Sequence, residues 1–186
     1  MNFKKTFENK YVAIIIMIVM IISSALYGVH RSLSRMSKEV NNIFYQGVDN
    51  DGIGIFSDLN IRINQSQNLL TIARKYDIDE DLINSIEVVL VDLSNGNNSI
   101  ANKYQSNLEL TSKTNTLIAI LNDLEEVSDN DISFIRNIEI SLLARNDTIF
   151  RDPYNLAVKE YNDQLEEFPT NILRKLIGIK KIEYFR

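Results

Sequence analysis

Residues 11–29, YVAIIIMIVMIISSALYGV, carry no charged side chain, and Ile14–Ile22 is an unbroken run of large apolar residues. Nineteen helical residues extend about 28 Å, close to the roughly 30 Å hydrocarbon thickness of a bilayer. Each Leu, Ile, Val or Phe at the centre of such a helix favours insertion by about 0.3–0.6 kcal/mol, so the run predicts one transmembrane helix over 11–29. A secretory signal peptide competes for the same residues: Lys4, Lys5 and Lys10 form a basic leader, and Ser23, Ser24 and Ala25 are small enough for a cleavage site. The anchor is preferred because the apolar run continues to Val29 before meeting His30, Arg31, Arg35 and Lys38, a polar stop at the lipid edge. Tyr11 and Tyr27 would then sit in the two headgroup belts. The cations balance across the run, three on each flank, so they set no orientation. The expected location is the cell membrane, with a single pass.

Composition narrows the class of the rest. The chain has 186 residues, with 6 Gly and 2 Pro, too few punctuating residues for an all-β domain and in keeping with all-α. Cys is absent, which excludes disulfides, thiolate metal sites and cysteine nucleophiles. A single His excludes catalytic or metal arrangements that need two imidazoles. Beyond Val29 there are 17 Lys and Arg against 24 Asp and Glu, a balance of −7, so nucleic acid is not an expected partner.

Working outward from the apolar run, residues 30–46 predict a helical stalk with Leu33, Met36, Val40, Ile43 and Phe44 on one stripe. Gly47–Gly54 then concentrates three of the glycines and reads as a hinge. Its Asp49, Asn50, Asp51 and Gly52 resemble the start of a calcium loop, but no Glu closes the twelfth position, so a plain turn is preferred. Phe56–Tyr76 places Phe56, Leu59, Ile63, Leu69, Leu70, Ile72 and Ala73 on an amphipathic helix. Asp77–Glu80 has the form of a capping box opening a second helix, with Leu82, Ile86, Val89 and Leu93 inward and a stop at Asn95-Gly96. A third helix is expected over Ser99–Val127, with Ile100, Tyr104, Leu108, Leu117, Leu121 and Leu124 inward and a kink at Thr111–Thr116. Ser128–Asp131 opens a fourth, with Ile132, Ile135, Ile138, Leu142 and Leu143 inward, broken or kinked at Pro153 and ending before Pro169. Four amphipathic helices on short connections predict an up-and-down antiparallel four-helix bundle. The domain plan is a basic flank over 1–10, the membrane helix over 11–29, stalk and hinge over 30–55, the bundle over 56–172 and a basic tail over 173–186.

Between Tyr76 and Asn102 there is no Lys or Arg, while Asp77, Asp79, Glu80, Asp81, Glu87 and Asp92 all occur there. Helix capping and a solvated face account for such carboxylates, with a divalent-cation site as the sharper alternative. No catalytic residue, cofactor site or metal site is assigned, and His30 is read as an interfacial polar residue.

The most specific local pattern is Tyr154-Asn155, Tyr161-Asn162 and Phe168-Pro169-Thr-Asn171. The first two pairs are a heptad apart, as in a coiled coil, so both tyrosines share one helix face and both asparagines the next. Tyr154, Val158, Tyr161, Leu165 and Phe168 form a stripe expected to pack as core, with the phenols reaching polar partners; a recognition surface is the alternative. With this pattern, with Gly178 and with the Tyr184-Phe185 ending, the chain resembles the LemA family, whose last bundle helix carries a YN…YN…FP.N signature. Asp58-Leu59, Arg62, Asn68-Leu69, Ala73 and Tyr76 are similar to that family's first bundle helix. The glycine-rich 47–54 segment and Arg151-Asp152-Pro153 depart from it. The resemblance implies a membrane-anchored four-helix bundle and supplies no catalytic residue.

The tail reverses the charge of the rest: Arg174, Lys175, Lys180, Lys181 and Arg186 face only Glu183, among Leu176, Ile177, Ile179, Ile182, Tyr184 and Phe185. Cations interleaved with apolar residues suit an anionic lipid surface, so Arg174, Lys175, Lys180 and Lys181 are expected membrane-surface contacts, provided the helices run out and back to the bilayer. The expected function is non-enzymatic: a helical-bundle interaction or scaffolding module, in a bacterial cytoplasmic membrane, with the lipid bilayer, a protein partner and homo-oligomers as the partners considered. The alternative is an extracytoplasmic ligand-sensing bundle coupled to the membrane helix. Buried polar groups converging on a cavity would favour the sensor, and a dry core with an apolar surface patch the scaffold.

Overall fold

Helical hydrogen bonding that begins at Lys10 continues unbroken to Gln46 in the computed structural model, which describes residues 10–186. Lys4 and Lys5 of the basic flank lie outside the described residues. The described chain is all-α, without a strand. Helix α1 (Lys10–Gln46) is followed by a 3₁₀ turn at Val48–Asn50 and by α2 (Ile55–Ala73), α3 (Glu80–Ser94), α4 (Ile100–Asp123), α5 (Asp129–Arg151), α6 (Tyr154–Gln164) and α7 (Thr170–Ile177). The chain divides into two units, residues 1–39 with 159–182 and residues 40–158 with 183–186.

In the first unit, α1 presents Ile15, Met17, Val19, Met20 and Ile21 to the outside. The most apolar window of α1 has mean hydropathy 2.6 and none of it is buried. A helix apolar on every side and covered by nothing is one that a bilayer, not a protein core, would solvate. It is long and apolar enough to cross a membrane. Further along the stalk Leu33 is buried, and in the second unit Val40 and Phe44 are too.

The second unit is built on α2, which packs against α5, α3 and α4, while α3 packs on α4 and α4 on α5. Ile55, Leu59, Leu69, Leu70 and Ala73 of α2 meet a core completed by Ile86, Val89 and Leu93, by Leu110, Leu117 and Leu121, and by Ile135 and Leu142. Asp79, Ser99 and Ser128 cap α3, α4 and α5 by accepting from the amides of Asp81, Asn102 and Asp131. The α3 cap is therefore Asp79, two residues past the expected Asp77. At the other end of α3 the Lys103 ammonium, only 2% exposed, donates to the carbonyls of Leu93 and Asn95 at 2.8 and 2.7 Å. It satisfies acceptors that a helix end leaves open.

The glycine segment is a turn. Gly47 and Gly52 adopt φ of +77° and +82°. A Cβ on Gly54 would stand 2.6 Å from the carbonyl oxygens of Ile43 and Phe44, so only glycine lets α2 start against the last turn of α1.

The break expected at Pro153 is present: α5 ends at Arg151, Pro153 supplies no amide, and α6 starts afresh with the Tyr154 amide donating to Asp152 Oδ1 at 2.8 Å. Several other expectations require correction. The closing helix ends at Gln164 and not at Phe168. Residues 170–177 form a further helix, so the described residues hold seven α-helices, where the anchor, its stalk and four bundle helices were expected. The third helix stops at Asp123 and is unbroken at Thr111–Thr116, because Thr111, Thr114 and Thr116 hydroxyls bond back to the carbonyls of Asn107, Leu110 and Ser112. Leu108 and Leu143, expected inside, are exposed, and Ile83 and Leu90 are the buried α3 residues that were overlooked.

Where α2 ends and α5 begins, Asp131 Oδ1 accepts from Lys75 Nζ at 2.8 Å and Oδ2 from the Tyr76 hydroxyl at 2.6 Å. These donors hold the Asp131 carboxyl below its ordinary pKa. A depressed carboxylate stabilises the fold above the unfolded pKa of about 4, and the contribution fades as pH falls through the lower folded value. Thermal melts of Asp131→Asn should therefore fall below wild type at neutral pH, with the gap closing in acid.

Candidate functional site

Two asparagines of α6 grip the extended C-terminal segment. In the first unit Asn162 Nδ2 donates to the Ile182 carbonyl at 2.9 Å while the Ile182 amide donates to Asn162 Oδ1 at 3.0 Å. In the second unit Asn155 Nδ2 donates to the Phe185 carbonyl, and the Phe185 amide to Asn155 Oδ1, both at 2.9 Å. A carboxamide has the donor and acceptor of a peptide group, so each asparagine pairs with the segment as a neighbouring strand would.

The tyrosines work beside them. The Tyr154 hydroxyl donates to the Glu183 carbonyl at 2.8 Å, and its ring stands edge-on to Phe44, 5.2 Å between centroids. Phe185 is buried near Phe44 and Tyr104. In the first unit the Tyr161 hydroxyl points to the Lys180 carbonyl at 3.5 Å. Burial raises the pKa of both phenols, while the Ser37 hydroxyl and then Arg174 act against it at Tyr161. Both tyrosines remain neutral donors at physiological pH. Tyr154, Val158, Tyr161 and Leu165 are all buried to within 1%.

Phe168, assigned to the same stripe, is 81% exposed, because α6 ends at Gln164 and the helical register with it. The chain turns at Pro169, which precedes α7, and Asn171 Oδ1 is buried without a partner. Gly178 closes α7 at φ +73° with open space where a Cβ would be, so the requirement is conformational, not steric. Of the tail cations, Arg174 is committed to the chain: its Nε donates to the Leu165 carbonyl at 2.9 Å and its Nη2 meets Glu166 at 2.8 Å. Lys181 meets the same carboxylate at 2.8 Å. Lys175 and Lys180 are exposed. The basic tail is therefore two structures, the helix over 170–177 and the clamped extended segment after Gly178.

A second cluster went unassigned in the sequence. Arg62, 1% exposed, donates from α2 to the Leu142 carbonyl of α5 at 2.7 Å and to Thr111 Oγ1 of α4 at 2.6 Å. Burial lowers its pKa to about 10, so the guanidinium stays charged at neutral pH. Buried Asp58, one turn earlier, meets Arg145 at 3.2 Å. Burial pushes the Asp58 carboxyl up, against the pull of Arg145 and Arg62. Asp58 Oδ2, Arg62 Nε, Ser66 Oγ and Asn107 Oδ1 are buried without a hydrogen-bond partner. The available signal was opposite charge at i and i+4 on the apolar face of α2.

The acidic stretch disperses: Asp77, Asp79, Glu80, Asp81 and Asp92 are exposed, and Glu87 pairs with Arg74. That pair borders an open groove of about 720 Å³ between α2 and α3. Among the described residues no three His, Cys, Asp or Glu side chains converge as metal ligands. Asp51 instead accepts from the Ile53 amide at 2.9 Å.

Two outcomes follow for hydrogen exchange and melting of the detergent-solubilised chain. Asn162→Ala should speed exchange chiefly at Ile182 and Asn155→Ala at Phe185, each losing two bonds worth about 1 kcal/mol apiece. Arg62→Ala should cost about 3 kcal/mol in stability, since it leaves the buried Leu142 carbonyl and the Thr111 hydroxyl without their charged donor and takes one of two cations from beside Asp58.

No curated protein matches the chain. The LemA family model matches residues 54–186, a span that opens at the glycine against α1 and takes in both the Asp58–Arg62 pair and the asparagine clamps. The chain belongs to the LemA family.

Proposed function

We propose that the chain is a non-enzymatic, single-pass membrane protein whose helices α2–α5 form an up-and-down antiparallel bundle serving as an interaction or scaffolding module. The observation that carries this is the apolar run of α1, uncovered on all sides and continuous with its stalk. The Tyr-Asn pairs support it, because their polar atoms are spent on holding the chain's own tail and not on a substrate. Ile140, Leu143 and Phe150 lie along one exposed face of α5, Phe150 at 87% exposure. Apolar surface of this kind suits a partner protein at the membrane.

A ligand-sensing bundle is the second reading, favoured by the unpartnered polar atoms of Asp58, Arg62, Ser66 and Asn107 inside the second unit. A photo-crosslinking residue at Phe150, installed in cells, tests the first. Discrete adducts whose masses are not multiples of 21.4 kDa are expected there and not at exposed Glu125; their absence would remove the scaffold reading. The chain's lack of native Cys allows Asn97→Cys with an impermeant maleimide to report the side of the membrane. Labelling of intact cells would favour the sensor, and labelling only after lysis the scaffold.

A further inference from the structure

Within the first unit, Phe168, Ile172 and Leu176 recur at four-residue intervals and are 81%, 55% and 70% exposed. Ile172 and Leu176 lie one turn apart on α7 and so share one face, and Phe168 stands exposed in the turn two residues before the helix, so this edge of the unit is apolar and uncovered. Lys175 and Lys180 are exposed beside it. The opposite side of α7 is fixed: Arg174 is bound to Leu165 and Glu166. An amphipathic helix held by one face, with large apolar residues and lysines on the other, has the chemistry of a segment lying in a lipid interface.

Its place in the unit names the occupant. Gly178–Ile182 and Tyr161 line one surface cleft with Ser34, Ser37 and Lys38 of the stalk, and the Ser37 hydroxyl bonds Tyr161. One turn nearer the apolar run Leu33 is buried, and just past the end of α6 Leu165 is buried. The cleft that Tyr161 and Gly178–Ile182 share with Ser34, Ser37 and Lys38 sets the residues that follow α7 beside the stalk, close to where the uncharged run 11–29 ends. Ser34 lies five residues beyond Val29 on the helix, a rise of about 7.5 Å, comparable to the 5–10 Å depth at which interfacial helices lie.

We infer that α7 is an interfacial helix: Phe168, Ile172 and Leu176 enter the headgroup–acyl boundary of the bilayer that α1 crosses, and Lys175 and Lys180 engage anionic lipid. The inference rests on the membrane-spanning reading of α1. It makes the C-terminal region a second, non-covalent membrane attachment, and it narrows the cation set to Lys175 and Lys180, because Arg174 and Lys181 serve Glu166.

Single-cysteine variants of the full chain test it, in nanodiscs of phosphatidylcholine with phosphatidylglycerol that carry a shallow nitroxide lipid for positions 160, 172 and 176 and, in a parallel set, a mid-bilayer nitroxide lipid for position 18. Ile18→Cys reports the span, Ile172→Cys and Leu176→Cys report α7, and Glu160→Cys, exposed on α6, is the aqueous control; each bears an environment-sensitive fluorophore. Quenching at 172 and 176 should exceed that at 160 several-fold. Combining Lys175→Gln with Lys180→Gln should lower the docking equilibrium constant of α7 by about fivefold per charge removed, and salt should act in the same direction. Quenching at 18 with none at 172 or 176 overturns the inference while leaving the span intact; no quenching at 18 removes the span and the inference together. Labels at 172 and 176 shielded from water but not reached by the lipid quencher, increasingly so with more chains per disc, would assign the stripe to a second copy and also overturn it.

Discussion

A carboxamide can impersonate a peptide group, and the C-terminal region depends on that equivalence. An extended segment with no neighbouring strand leaves its amides and carbonyls to water. Here two asparagine side chains supply one rung each, at Ile182 and Phe185. In each unit the tyrosine one residue before the asparagine adds a hydroxyl bond beside the rung. Leu165 and Val158 seal the helix side, while Phe168, past the end of α6, is released from that duty.

The bundle is organised by a different constraint, a charge that cannot leave. Arg62 contacts a carbonyl of α5 and a hydroxyl of α4, so one side chain fixes the relative positions of three helices. Such a group is costly to bury and more costly to strand. Its neighbour Asp58 divides its attraction between Arg62 and Arg145. Apolar packing alone would tolerate small slips of helix against helix; a forked donor with fixed acceptors does not.

Much of this was legible in the sequence because period and punctuation are local. The apolar run, the stalk stripe, Ser128 as a cap and Pro153 as a break all follow from spacing and backbone chemistry. What was not legible depends on partners distant in the chain. Lys103 looks like a solvated lysine until the carbonyls of Leu93 and Asn95 are seen above it. Arg62 reads as surface charge until Leu142, eighty residues away, supplies an acceptor. The Thr-rich stretch of α4 suggested a kink from propensity, but hydroxyls bonded back to their own helix removed the competition with the backbone. The asparagine pairs were visible as a pattern, whereas their role needed the tail to be in place.

The stalk also governs how such a protein meets anything else. A domain hung from a membrane on a flexible linker sweeps out a volume, and its encounters are set by linker length. Helix α1 leaves the apolar run and continues as helix to Gln46, with no irregular linker between the two. A protein held in a bilayer by such a helix meets the other molecules of that sheet of lipid by lateral diffusion, a search in two dimensions.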